Sequence, residues 1–553
     1  MKKLLFSRLL RLAALVLLIA RPAAPALAQA PPWQWATSPG GGAATATVAD
    51  SVGNVYITGY FDSTATFGAT TLTSAGFADV FVAKLTPGGA YAWAVRVGGA
   101  ESDAGVRLAL DGTGNVVVMG AFGSPTIAFG ATILTNPFGA FSLFVAKLTP
   151  AGIWQWAASA DGASGNGLAV DRQGTTTLTG TFFGTTVTFG TTTLTSAGFA
   201  DVFVAKLTSA GVWQWATSVG GTGTDGGNAL ALDPAGNAYL TGSFSSPTLA
   251  FGATTLTISN ATSLRGELFV AKLSPAGAWL WAAQADGTAS NPGYQIAADD
   301  RGGAVVLGGF YSPALTIGTT TLTSSNRFGQ LFVAKLTATG TWQWATSATG
   351  GGNVEANALA LDSAGNAYVA GYFTRGGSIG FGATTLLTHG EADLFVAKLN
   401  PAGAWQWATG AGGTGDDTGA GLAVAPNGAV CLTGTSESPS IAFGATLLTN
   451  PLPGRGHYRL VVAQLAPTTL ALNEDAAGAG AGDVNMRLTP NPAHETVRLT
   501  GTAGAPATLL DELGRVVRTS HENLATTNIN LRGLPPGVYT VRVGAATRRL
   551  VVE

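Results

Sequence analysis

The phrase FVAKLNPAGAWQWAT at residues 395–409 constrains this chain more than any other feature. Versions of it begin at Phe81, Phe144, Phe203, Phe269 and Phe332, and a shortened seventh, VVAQL, occupies residues 461–465. The spacing is about sixty residues, and units of that size bury a core only by stacking on their neighbours. The aromatic end keeps the same count: Trp-x-Trp pairs start at Trp33, Trp154, Trp213, Trp279, Trp342 and Trp405, and Tyr91 takes the first slot in the remaining copy. All 13 tryptophans belong to this pattern. A length of 553 residues would ordinarily argue three or four domains; here it argues one repeat array with a small addition.

Each repeat reads as four strands. In the fourth copy they are expected at 229–233 (ALALD), 237–244 (NAYLTGSF), 268–273 (LFVAKL) and 278–282 (AWLWA), where β-branched and aromatic residues alternate and no helical period competes. Pro and Gly in DPAGN and SPAG mark tight turns between them. The longer connection 245–267 carries LAFGATTLT, expected to be an extra hairpin. Four antiparallel strands repeated about an axis make a propeller blade, an all-β solution that leaves few sheet edges open. The phase of the repeat sharpens this: the chain enters with a lone fourth strand, WQWATS at 33–38, and leaves the array after a third strand. A seven-bladed β-propeller over residues 33–466, closed by the N-terminal strand completing the last blade, is therefore predicted.

The glycine-rich loop, the apolar run ending in Asp and the G-N-x-Y-x-T-G phrase, together GGTGTDGGNALALDPAGNAYLTG at 220–242, resemble the SBBP-type β-propeller repeat. Thr175, Ala304 and Ala429 depart from it at the Asn. Beyond a flexible linker at 467–485, residues 486–553 change grammar and give about seven short strands, a small C-terminal β-sandwich. That segment resembles the type IX secretion system sorting domain through Pro490, Asn491, Pro492, Asp511, Gly514, Leu534, Pro535, Gly537 and Tyr539. The resemblance implies the type IX machinery as partner, passage through the outer membrane, and then release or attachment at the cell surface.

The start of the chain agrees. Lys2, Lys3, Arg8 and Arg11 precede the apolar run 12–20, and Ala26-Leu27-Ala28 offers small residues for cleavage, so residues 1–28 read as a signal peptide. The mature chain is expected to carry no transmembrane segment, and with Cys431 alone it has no internal disulfide. Charged residues are 10% and the net charge is −2, without a basic block, which argues against nucleic acid as a partner.

Chemistry is sparse. Asp50, Asp111, Asp171, Asp233, Asp299 and Asp362 recur as turn caps, and Lys84, Lys147, Lys206, Lys272, Lys335 and Lys398 read as snorkelling edge charges. The loops at 220–225 and 412–417 fit GGxGxD, so calcium at Asp225, Asp416 and Asp417 stands against plain glycine turns. No catalytic constellation is recognised: His389 and His457 are the only histidines of the array, and Glu355, Glu437 and Asp416-Asp417 stand out from the repeat without an assignable partner. The expected role is non-catalytic binding or surface display, against a polysaccharide hydrolase or lyase, or a purely structural component. Ligand contacts, to a glycan or a protein surface, are expected where the long loops break the repeat, at Arg265, Arg327, Phe328, Arg455, His457, Tyr458 and Arg459.

Overall fold

The computed structural model describes residues 29–137, 139–258, 266–324, 329–374, 377–450, 458–467, 487–489, 496–500, 507–510, 516–519, 526–535, 537–543 and 546–552. The chain divides into two compact units, Met1–Thr469 and Leu470–Glu553.

In the first unit a repeat folds as an antiparallel meander. The fourth gives Asp225–Leu232, Ala238–Phe244, Glu267–Leu273 and Trp279–Gln284, hydrogen-bonded in that order, and five other repeats do the same. The third strand is buried on both faces, with Leu268, Phe269, Val270, Ala271 and Leu273 at 0% exposure, because neighbouring sheets cover both. The seventh repeat supplies only Asp417–Val424, Val430–Ser436 and Arg459–Leu465. Its fourth place is taken by Trp33–Gly41, paired antiparallel from Trp33↔Leu465 to Gly41↔Arg459. First strands pack on one another in succession, from Ala43–Ala49 against Asp103–Leu110 through to Asp417–Val424, which packs against Ala43–Ala49.

The first strand begins earlier than its apolar letters indicate, at Asp225 rather than 229. A methyl group on Gly227 would lie 2.4 Å from Thr179 Oγ1 of the preceding sheet. The first strand of one sheet approaches the second strand of the preceding sheet so closely that only hydrogen fits, and the glycine-rich run is strand rather than loop.

The recurring PAG and Trp-x-Trp phrases meet across sheets. Trp281 donates its indole N–H to the Ala338 carbonyl at 3.0 Å, in the turn of the next repeat, and its ring covers Gly340, whose φ is +83°. The same contact joins Trp35 to Pro87 O, Trp93 to Pro150 O, Trp156 to Ser209 O and Trp344 to Pro401 O, each at 3.0 Å. A methyl at Gly340 would stand 2.8 Å from the Trp281 ring and force an L-residue into left-handed backbone. Gly340→Ala is therefore expected to cost about 2 kcal/mol or more, read as a fall in the urea midpoint. After Trp407 there is no such turn, because the seventh repeat takes its fourth strand from the N-terminus. Residues 29–32 lie beside Trp407 instead.

The extra hairpin forms as Thr248–Phe251 and Thr254–Thr257, with Phe251 edge-on to Trp279 at 4.8 Å. Three of the strand lysines are not edge charges. Lys147 reaches Asp111 at 2.8 Å, Lys272 reaches Asp233 at 3.1 Å and Lys335 reaches Asp299 at 2.9 Å, with Lys147 and Lys272 buried. The cap aspartates also take backbone N–H groups, as Asp233 does from Ala235 and Asn237. Burial works against the Asp233 charge, but the Asn237 and Lys272 donors outweigh it and hold the carboxyl below its usual range. Sheets on both sides enclose the third strand, so a lysine there must pair inside. Burial pushes the Cys431 thiol up to about 12, leaving it an uncharged packing group.

The second unit has a three-stranded sheet of Arg487–Thr489, Thr496–Thr500 and Thr526–Asn530. Its four-stranded partner runs in the order Val516–Thr519, Ala507–Leu510, Gly537–Val543 and Ala546–Val552. Val497, Leu499, Leu509, Val541 and Leu550 form its core.

Candidate functional site

Every first strand of the repeats carries a one-residue bulge at the same place. The register slips between Ala44 and Ala46, Gly105 and Arg107, Gly165 and Gly167, Gly227 and Ala229, Gly293 and Gln295, Ala356 and Ala358, and Gly419 and Gly421. A bulge re-aims a side chain out of the ladder. Here the re-aimed residues reach the next repeat. Thr45 Oγ1 donates to Gly105 O at 2.7 Å, Asn166 Nδ2 to Gly227 O at 3.0 Å, Asn228 Nδ2 to Gly293 O at 2.8 Å, and Asn357 Nδ2 to Gly419 O at 2.9 Å. In the fifth repeat Tyr294 holds the bulge, and Gln295 donates Nε2 to Asn357 O at 2.9 Å.

These residues line one cavity of about 810 Å³ to which all seven repeats contribute: Thr45 and Tyr60, Arg107, Asn166, Asn228, then Tyr294, Gln295 and Tyr311, then Glu355 and Asn357, and finally Thr418, Thr435 and Tyr458. Tyr60, Tyr311, Thr418, Thr435 and Tyr458 stand where first strands begin and second strands end, the end that also carries the fourth-to-first loops and the long insertions. Each amide that gives one N–H to the neighbouring backbone keeps its oxygen and a second N–H for an occupant.

Two glycines make room for the aromatic wall. A methyl at Gly309 would lie 2.7 Å from the Tyr294 hydroxyl, and one at Gly329 would lie 2.7 Å from Tyr311 Cε1. Burial, and then the neighbouring Tyr311 hydroxyl, raise the Tyr294 phenol above its usual range. Burial and the adjacent Glu355 do the same to Tyr372, whose hydroxyl donates to Glu355 Oε2 at 2.5 Å. Asn353 Nδ2 holds the other Glu355 oxygen at 3.1 Å. The carboxylate is thus already engaged, while Arg107 is not. Among the described residues the only hydrogen bond of its guanidinium is Nη1 to Val106 O at 3.1 Å, and burial lowers its pKa with no anion to offset the effect.

Of the ligand residues expected from sequence, Tyr458 lines the cavity and is half exposed. Arg459 lies at the start of its strand, with Nε on Ser38 Oγ at 2.6 Å and Nη1 on the Thr449 carbonyl, and does not line the cavity. Arg265, Arg327, Phe328, Arg455 and His457 lie outside the described residues. Arg107 was missed, although it stands in a slot occupied by Ala46, Gly167, Ala229, Ala358 and Gly421 in five other repeats and by Gln295 in the fifth. That exchange of a small residue for a long cation was the available signal.

The aspartates of the calcium reading are placed differently from a loop site. Asp225 is fully buried and accepts from Gly221 N, Ser245 N, Ser246 N and Ser246 Oγ. Asp417 accepts from Gly413 N and Ser438 Oγ. Asp416 is half-buried and bridges to Ala392 through its backbone. These neighbours are hydrogen-bond donors, the inverse of the oxygen cage a hard cation takes. Among the described residues no three His, Cys, Asp or Glu side chains gather as metal ligands.

In the second unit Tyr539 donates its hydroxyl to Pro535 O at 2.8 Å, and the Leu534 N–H donates to Leu531 O at 3.1 Å, so part of the expected sorting motif is one hydrogen-bonded corner. Gly537 opens the strand that follows it. Pro490, Asn491, Pro492, Asp511 and Gly514 lie outside the described residues. Residues 487–553 match the family described as secretion system C-terminal sorting domain. The tail is a secretion sorting domain. It indicates export through the type IX secretion system and interaction with that machinery.

The remainder of the chain has more distant likenesses. An uncharacterized WD repeat-containing protein of Acanthamoeba polyphaga mimivirus is 26% identical over 453 residues, covering 68% of this chain, which spans 32% of that relative's length. A crystal structure of a protein of unknown function from Bacteroides caccae is 12% identical with a TM-score of 0.31, covering 60% of this chain and 89% of that one. A puromycin hydrolase structure is 13% identical with a TM-score of 0.35, covering 74% and 54%. A WD-repeat relative and repeated four-stranded sheets fit a propeller-like repeat protein. Among the described residues no helix is long and apolar enough to cross a membrane.

Proposed function

We propose that residues 33–466 form a closed seven-bladed β-propeller of SBBP-type repeats, exported after loss of residues 1–28, which binds a glycan or protein surface and carries out no chemistry. One observation carries the binding reading: a single cavity lined from every repeat, by amides, hydroxyls and phenols in six of them and by Arg107 in the second, with the amides held in place by inter-sheet hydrogen bonds. A glycosidase places two carboxylates across the scissile bond. The described lining has one, Glu355, already bonded to Tyr372 and Asn353. The pairing of Trp33–Gly41 with Arg459–Leu465 supports closure.

The test is an array of glycans and peptides probed with the purified full-length chain and with a Tyr294→Ala/Tyr311→Ala double variant. Retention on some member is expected, weakened roughly tenfold or more in the variant, because aromatic anchors dominate recognition energy. Equal retention by both proteins would move the site elsewhere. Export is tested separately: a chain lacking residues 487–553 should remain cell-associated, and its appearance in the medium would remove the tail's role.

A further inference from the structure

Resting on the reading of the cavity as a binding site, we infer that its occupant is an acidic saccharide, whose carboxylate is received by Arg107 while its hydroxyls are received by the ring of amides and threonines. Three features of the cavity carry this. Arg107 is the only cation among the described lining residues, and the sole acid there, Glu355, is held by Tyr372 and Asn353 rather than by the arginine. A guanidinium with one bond, to its own neighbouring carbonyl, keeps its fork of donors for a planar anion, and two parallel N–H···O bonds to a carboxylate match that fork.

The remaining polar groups suit the rest of such a molecule. Asn166, Asn228 and Asn357 each have one N–H fixed on the next repeat and an amide oxygen and second N–H left over, arranged around the cavity at one level of the inner strands. Polyols offer donors and acceptors in similar numbers on every ring, which is what an array of half-used amides can satisfy. Tyr294 and Tyr311 provide flat faces, and the glycines behind them keep those rings in place. Phenol rings pack against the C–H faces of a sugar, and burial keeps the Tyr294 hydroxyl from ionising beside its carboxylate. A phosphate-bearing ligand would ask for several donors converging on one anion, and the described lining has one arginine and no lysine.

The experiment uses paired oligosaccharides of galacturonate, glucuronate and mannuronate, each beside its carboxyl-reduced neutral counterpart, titrated into the purified full-length chain and its variants. Expected is binding of at least one acidic member, roughly thirtyfold tighter than its reduced partner. Arg107→Gln should lose that preference, and Arg107→Lys should keep about a third of the affinity because the charge remains without the fork. An unfolding midpoint for Arg107→Gln beside the parent shows that the loss is one of recognition, and the lysine variant decides the matter should the glutamine variant fail to fold. Acidic and reduced members binding equally would overturn the carboxylate assignment while leaving the cavity as the site. Binding of acidic members that survives both Arg107→Gln and Tyr294→Ala/Tyr311→Ala would overturn the cavity reading itself. Binding confined to peptides would overturn the saccharide.

Discussion

Deleting residues 29–38 is expected to lower the unfolding free energy of the repeat array by about 5 kcal/mol or more, far beyond what the loss of ten residues outside an element would cost. The segment supplies the fourth strand beside Arg459–Leu465, with register from Trp33↔Leu465 onward. Trp33 packs edge-on against Phe443 at 5.0 Å, and Trp35 donates its indole N–H to Gln464 Oε1 at 2.7 Å and to Pro87 O. Burying two such rings gives roughly 2–3 kcal/mol each. Losing the strand would also open the Arg459–Leu465 edge to pairing with other chains. Urea midpoints and light scattering of the truncated and parent chains measure both effects. Coincident midpoints would mean that the repeat array does not depend on the strand Trp33–Gly41.

That strand was legible in the sequence because its phase is arithmetic: a repeat that starts at its fourth element and stops after its third must join its ends. The phrases that build the inter-sheet latch, PAG and Trp-x-Trp, were legible for the same reason, and the structure adds that they touch one another across repeats. The inner strand was read less well. It opens with Asp225, Gly226 and Gly227, which by composition announce a loop, and only the approach of the neighbouring sheet makes them strand. Lys147, Lys272 and Lys335 misled because a charge alternating with apolar residues normally points to water, while here both faces of the strand are covered and Asp111, Asp233 and Asp299 wait inside.

The site was partly visible. Glu355 stood out from its repeat without a partner, and the partner is Tyr372, 17 residues away in the chain but directly opposite in the ladder. Arg107 replaces the small residue that five other repeats carry at its slot, a single-letter change inside a strand rather than in a long loop. What makes that letter matter is the bulge beside it, and a bulge is a property of pairing register that no single strand carries.

Asp417→Asn is expected to stabilise the protein near pH 7.5 by about 2–3 kcal/mol, a gain that disappears below about pH 4. Asp417 is fully buried at the start of the seventh inner strand. Its equivalents Asp103 and Asp225 each receive two backbone N–H groups on Oδ1, from Gly123 and Ser124 and from Ser245 and Ser246. Asp417 Oδ1 has no hydrogen bond, and the carboxylate facing it from the sixth repeat, Asp393, has an unbonded Oδ1 as well. Burial raises the Asp417 pKa to about 6; the bonds from the Ser438 hydroxyl and the Gly413 N–H pull it down, and the Asp393 charge adds to the rise. Asp393 is held on its other oxygen by His389, through the backbone N–H at 2.8 Å and Nδ1 at 2.9 Å. A carboxyl whose folded pKa lies above its unfolded value near 4 favours the fold fully while both states are protonated. The advantage is lost as pH rises from about 4 through 6, because the unfolded chain ionises first. Asparagine keeps the acceptor for Gly413 and Ser438, supplies N–H donors toward Asp393 and never ionises. Urea unfolding of both proteins at steps between pH 3.5 and 8 therefore should give curves that coincide in acid and separate above pH 5. A constant offset at every pH would mean that Asp417 is not ionised against its burial in the folded protein.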